Sequence, residues 1–136
     1  MWNAARLCLV VLLLGAAPLA AASAAVDEPG MRDAIERQLD AFNRDDAAAA
    51  FALASPAIQA RFGDAAKFMA LLQQSFPQVR HSRSHRFINL DQSRGKLIQR
   101  VLIESETGIV VARYEMVLID DQWRINGCEL EKSSAA

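Results

Sequence analysis

The chain is predicted to fold as α+β, with helices from its first half packed on an antiparallel sheet from its second. Three observations carry this. Apolar residues recur at three- and four-residue steps as far as Phe76. After Pro77 the period shortens to two. Four strand-like runs then follow, joined by short turns, which makes a meander and not a set of crossover units. The 136 residues suffice for one domain, and 23% charge with only six Gly and four Pro excludes a disordered or low-complexity chain.

Residues 1–25 precede that domain and read as a signal peptide. Arg6 is their only charge, residues 7–14 (LCLVVLLL) are unbroken apolar chain, and Gly15 and Pro18 lead into small residues up to Ala25. A charge, a short apolar core and a small-residue exit are the parts of a secretory leader. A bilayer span takes about 20 apolar residues, more than this core supplies. Cleavage is expected before Ala25 or Val26. Residues 26–136 would then be a single periplasmic or secreted domain, with no membrane attachment. A net charge of −1 argues against nucleic acid or anionic membrane as the main partner. Export would leave Cys128 as the one cysteine, without an intramolecular disulfide. A small, buried strand residue is its expected role.

Each element has its own signal. Met31, Ala34, Ile35, Leu39 and Phe42 line one helix face with polar Gln38 in the middle. Asp45 or Asp46 caps a second helix over residues 47–54. Ser55 and Pro56 are a cap and a first-turn proline for a third, which Gly63 ends. Asp64 caps the fourth, whose Phe68, Leu71, Leu72 and Phe76 face one side until Pro77 stops it. Strands are expected over residues 84–91, 96–105, 109–120 and 122–131. In the third, Val110, Ala112, Tyr114, Met116 and Leu118 should meet the helices. Val111, Arg113, Glu115, Val117 and Ile119 form an outer row too apolar for plain solvent, which a second subunit would cover. Parity in the last strand changes across Gly127, from Trp123 and Ile125 to Cys128 and Leu130. That predicts a bulge there, and a β-branched residue at 127 would be costly if Gly127 supplies a positive φ.

Several of these residues together carry a resemblance. Asp40-Ala41-Phe42, Arg44-Asp45-Asp46, Ala54-Ser55-Pro56, Phe62-Gly63, Tyr114-Glu115-Met116 and Trp123-Arg124-Ile125-Asn126-Gly127-Cys128 resemble a bacterial family called domain of unknown function 4864. The order of elements resembles the nuclear transport factor 2-like superfamily. The resemblance implies a curved sheet wrapped on helices into a cone, with a pocket between them and no assigned catalytic residue.

Gln38, Tyr114, Trp123 and Asn126 are the polar or amphipathic groups best placed to meet inside such a cone, as candidate ligand-binding residues. No catalytic residue is named, since no nucleophile–base pair, Gly-rich phosphate loop or metal cluster occurs. Asp40 falls about 140° round its helix from Ile35, away from the cavity, and Asp45 and Asp46 are explained as caps. His81 and His85 in RHSRSHR are about 13 Å apart on a strand, too far to share an ion, and the run reads as a solvated strand start. The expected function is a non-catalytic module without metal or cofactor. It would bind a small apolar ligand or a protein, and associate as a homodimer through the outer sheet face. The alternative is a cofactor-free isomerase or dehydratase working in the cone.

Overall fold

Five helices and four strands follow one another without crossover in the computed structural model, which describes residues 26–131. The leader expected over residues 1–25 lies outside the described residues. Helix α1 (Glu28–Asn43) begins where the Asp27 carboxylate accepts the Gly30 amide at 3.0 Å. Its buried stripe is Met31, Ala34, Ile35, Gln38, Leu39, Ala41 and Phe42. Between the two aspartates, Asp46 is the cap of α2 (Ala47–Ala52), accepting the Ala49 amide at 3.1 Å. Asp45 instead sits at φ 57 and accepts a guanidinium hydrogen bond from Arg80.

Helix α2 stops two residues short of expectation for a tertiary reason. The Leu53 carbonyl and Ser55 amide leave the helix direction to bond both backbone groups of Ile125, at 2.9 and 2.8 Å. Ser55 then caps α3 (Pro56–Phe62), and Asp64 caps α4 (Ala65–Ser75). Pro77 ends α4 as expected but also opens a one-turn helix, α5 (Pro77–Arg80), because proline's fixed φ suits the first helical position. That turn buries Arg80, which the sequence placed in a solvated run. Its guanidinium bonds the Phe42 carbonyl and Asp45, tying α5 to the end of α1.

The sheet is antiparallel in the order β1 (Ser82–Ser93), β2 (Lys96–Ser105), β3 (Gly108–Ile119) and β4 (Gln122–Leu130). Two of its turns use pairs at positive φ, Arg94-Gly95 and Asp120-Asp121, the backbone that two-residue hairpins require. Val101, Ile103, Ala112, Tyr114, Met116 and Ile125 face the helices and complete the core with the α1 stripe. Leu118 departs from its expected place: it is 54% exposed, because β3 runs on beyond the helical layer. In the outer row of β3, Val111, Arg113, Glu115, Val117 and Ile119 are all half-buried. A bulge lies where expected: Glu115 pairs with Gly127 and Met116 with Ile125, leaving Asn126 extra. Gly127 is not at positive φ, however, so the condition for a strained glycine is not met.

Candidate functional site

A cavity of about 430 Å³ opens between α3, α4 and the sheet beside this bulge. Its apolar wall comes from Phe42, Phe62, Phe68, Leu72 and Ile125. Phe68 is the centre of an aromatic group, with ring centroids 6.1 Å from Phe42, 5.5 Å from Phe51 and 5.6 Å from Phe62. Tilted and edge-on rings at these spacings form a stiff wall, since each ring edge meets another's face.

Three of the four candidate residues lie on this cavity. Gln38 is 2% exposed, and its amide donates to the Ala50 carbonyl at 3.1 Å, which fixes the side chain between α1 and α2. Tyr114 is 1% exposed, and among the described residues its hydroxyl meets no oxygen or nitrogen partner, only the weak Cys128 thiol beside it. Asn126 is held from both ends: its carbonyl oxygen accepts from Ser55 Oγ at 2.7 Å, and its amide donates to Glu115 Oε1 at 3.2 Å. Trp123 is the exception. It packs on the core away from the cavity, with its ring against Gly30 of α1 and its indole N–H unpartnered.

The bulge also brings in a residue that sequence reasoning assigned elsewhere. Glu115 belongs to the outer row by parity, yet it lines the cavity. Opposite it stands Gly127, which has no side chain, so Glu115 lies across β4: a Cβ placed on Gly127 would be 3.7 Å from Glu115 Oε2. Lys96 approaches the same carboxylate from the outside at 3.6 Å. Lys96, Glu115, Asn126 and Ser55 thus form a polar chain from the outer sheet face to the cavity mouth. The signal for it was available: a bulge glycine opposite a charged residue leaves that residue free to cross the strand.

Cys128, two residues past the extra Asn126, is turned to the cavity beside Tyr114, its partner in register. Burial pushes its thiol up to about 12; the Tyr114 hydroxyl pulls the other way and Glu129 adds to the rise. Burial likewise pushes the Tyr114 phenol well above its ordinary value, with Cys128 adding to it. Both groups are therefore neutral at pH 7, a donor phenol beside a thiol.

The remaining candidates are dispersed. Asp40 pairs with Arg44 at 2.9 Å on the surface. His85 meets Glu36 at 3.2 Å, while His81 is exposed at the far side of the strand start. Among the described residues no three His, Cys, Asp or Glu side chains converge as a metal site, and no helix is long and apolar enough to cross a membrane.

Residues 24–136 match the family model described as domain of unknown function (DUF4864). The chain belongs to the DUF4864 family. Among solved structures it is similar to an NTF-2 like protein of unknown function from Shewanella oneidensis MR-1. The likeness has a TM-score of 0.50 at 14% identity, covering 76% of this chain and 98% of that one. At that identity it speaks for the fold, and it places this DUF4864 domain in the α+β cone architecture. No curated protein matches the chain.

Proposed function

We propose that this domain is an exported, non-catalytic binding module. Its cone takes a small apolar ligand, or an apolar group of a larger one, that carries one hydrogen-bond acceptor. The observation that carries the reading is the Tyr114 hydroxyl, buried on the wall of the cavity with no oxygen or nitrogen partner among the described residues and only the weak Cys128 thiol beside it. A buried donor without a strong acceptor costs up to about 1–3 kcal/mol, which an oxygen acceptor on the ligand would recover. The aromatic wall supplies the apolar contact, and the Gln38 and Asn126 side chains are already engaged within the chain.

Native mass spectrometry of the exported protein tests the module reading, with a bound mass and the subunit count as readouts. Tyr114→Phe sharpens it. The variant should melt higher than wild type when ligand-free, since it removes the orphan, and bind the recovered ligand roughly tenfold more weakly. A lower melting temperature with unchanged affinity would make Tyr114 a plain core residue.

A second reading, a cofactor-free isomerase or dehydratase, is favoured by one feature: the Glu115 carboxylate on the same cavity. It predicts Glu115-dependent exchange of a carbon-bound proton of the ligand into deuterated water. The absence of exchange, with binding intact, leaves the module reading standing.

Export itself is read from the leader and predicts an N-terminus at Ala25 or Val26 in periplasmic or secreted protein. Self-association is read from the half-buried outer row of β3. Val117→Lys should split the dimer by burying an unpaired charge, while leaving the monomer folded. Glu115 is already held by Lys96 and Asn126 within its own chain, so it is not free to pair with Arg113 of a second subunit. Light scattering at micromolar concentration reads the outcome, and a wild-type monomer would end the dimer proposal.

A further inference from the structure

The two halves of β4 present different edges. β4 is the last strand of the sheet, so one side of its backbone has no strand neighbour among the described residues. At Ile125 both outward groups are taken by Leu53 and Ser55. Past the bulge nothing among the described residues replaces them. The Glu131 amide bonds the Val111 carbonyl, so residues 131, 129 and 127 point inward to β3 by antiparallel alternation. Cys128 and Leu130 then point their N–H and C=O groups outward, and no backbone partner meets them among the described residues.

A cavity flanks this bare segment on each face. Inside is the aromatic cone, and outside is a groove of about 470 Å³ lined by Arg94, Lys96 and Arg113; residues 127–129 wall both. Four cations surround the edge: these three and Arg61 at the cone. Glu115 and Glu129 are the acids. Lys96 is committed to Glu115, whereas Arg61, Arg94 and Arg113 make no salt bridge among the described residues.

We propose that the open half of β4 is a strand-addition site for an extended segment of a partner protein in which apolar and acidic residues alternate. Backbone groups of Cys128 and Leu130 would pair with the added strand. Because side chains of a strand alternate between faces, its apolar residues enter the cone and its acidic residues meet Arg94 and Arg113 in the outer groove. The inference rests on the reading of the cone as an apolar binding pocket and names what delivers the apolar group.

The test uses the exported protein and the synthetic peptide Thr-Glu-Val-Glu-Phe-Glu-Val-Thr, with a counterpart carrying Lys for each Glu. The acidic peptide should bind at least about tenfold more tightly at low salt, with hydrogen exchange at the Cys128 and Leu130 amides slowed on binding. Arg94→Asn should weaken binding of the acidic peptide and reduce its salt dependence. Asn tolerates the left-handed backbone that Arg94 occupies at φ 53. Arg113 lies on the row proposed for self-association, so Arg94 carries the test. Equal binding of both peptides, or binding without slowed exchange at these amides, would overturn the proposal. So would slowed exchange that rises with protein concentration alone, which would make the occupant a second copy. Titration with decanol separates the two readings: decanol binding without peptide binding sinks strand addition only, and failure of both sinks the pocket as well.

Discussion

β4 is one strand with two characters, divided at Asn126. In residues 122–125 the strand is sealed: Ile125 is 5% exposed, its edge is bonded to residues 53–55, and Trp123 packs under α1. In residues 127–130 it is open, with an edge that has no backbone partner among the described residues, a glycine, a half-buried cysteine and a cavity on each face. The single extra residue makes the difference. It reverses which side chains face inward, so that Cys128 reaches the cavity, and it coincides with the end of the 53–55 seal. A sheet can in this way carry fold stability in one half of a strand and leave the other half for binding.

The largest effect that tests this division is truncation in the sealed half. Ile125→Ala should cost about 2–5 kcal/mol, because it empties a packed site that cannot collapse while its backbone is held on both edges. Leu130→Ala, in the open half, removes a half-buried side chain and should cost about 1 kcal/mol. Urea midpoints of the two variants measure the contrast, and equal costs would break it.

Next in size is the clasp at the boundary. Ser55 Oγ accepts the Ile58 amide at 3.3 Å and donates to Asn126 at 2.7 Å, so one hydroxyl caps α3 and fixes the bulge residue. Ser55→Ala should destabilise by about 1–2 kcal/mol, the loss of a cap together with an unmet acceptor. It should also loosen Asn126 from Glu115, visible as faster exchange of the Asn126 side-chain amide.

What the sequence made legible follows the reach of each interaction. The caps Asp46, Ser55 and Asp64 act within three residues, and they stand where local pattern put them. The parity change across Gly127 is also local, and the bulge is there. The assignments that moved depend on distant chain. Arg80 is buried because Phe42 and Asp45 receive it. Trp123 leaves the cavity because Gly30 of α1 has no side chain and admits its ring. Leu118 is exposed because the helices do not extend over the end of β3. Glu115 was read by strand parity alone, and parity does not describe a side chain that lies across a glycine.

The thiol in the open half gives a pH-dependent test. Cys128 is raised from an ordinary 9 to about 12 by burial, and the Tyr114 phenol is raised as well. As pH climbs, these groups ionise first in the unfolded chain, so between about 9 and 12 the native state holds more protons. Stability therefore falls with rising pH across that window. Cys128→Ala should flatten part of the fall while changing little at pH 7, as urea midpoints at pH 7 and pH 11 would show. Slow thiol labelling at pH 8 without denaturant is expected from the same cause, since the thiolate is the reactive form. An unaltered alkaline limb in the variant would mean that the thiol is hydrated and the open half more open than described.

The smallest effect is expected at Gly127, and its smallness is informative. A glycine required for a left-handed backbone would make any substitution costly, and the parity change alone suggested such a role. Gly127 has no positive φ, and a Cβ there would meet Glu115 only at ordinary contact distances of 3.7 and 3.9 Å. Gly127→Ala should thus change stability by no more than about 0.5 kcal/mol, with reduced freedom of the unfolded chain offsetting the new contact. Gly127→Val is different in kind. Its extra methyl groups would stand where Glu115 crosses the strand, pushing the carboxylate off Asn126 and away from the cavity. Stability should fall modestly, by about 1 kcal/mol, while binding at the cone and at the open edge changes far more. The reason for glycine at this position is then the passage of Glu115 and not backbone strain. A large loss of stability in the alanine variant would reverse that conclusion and restore the strained turn.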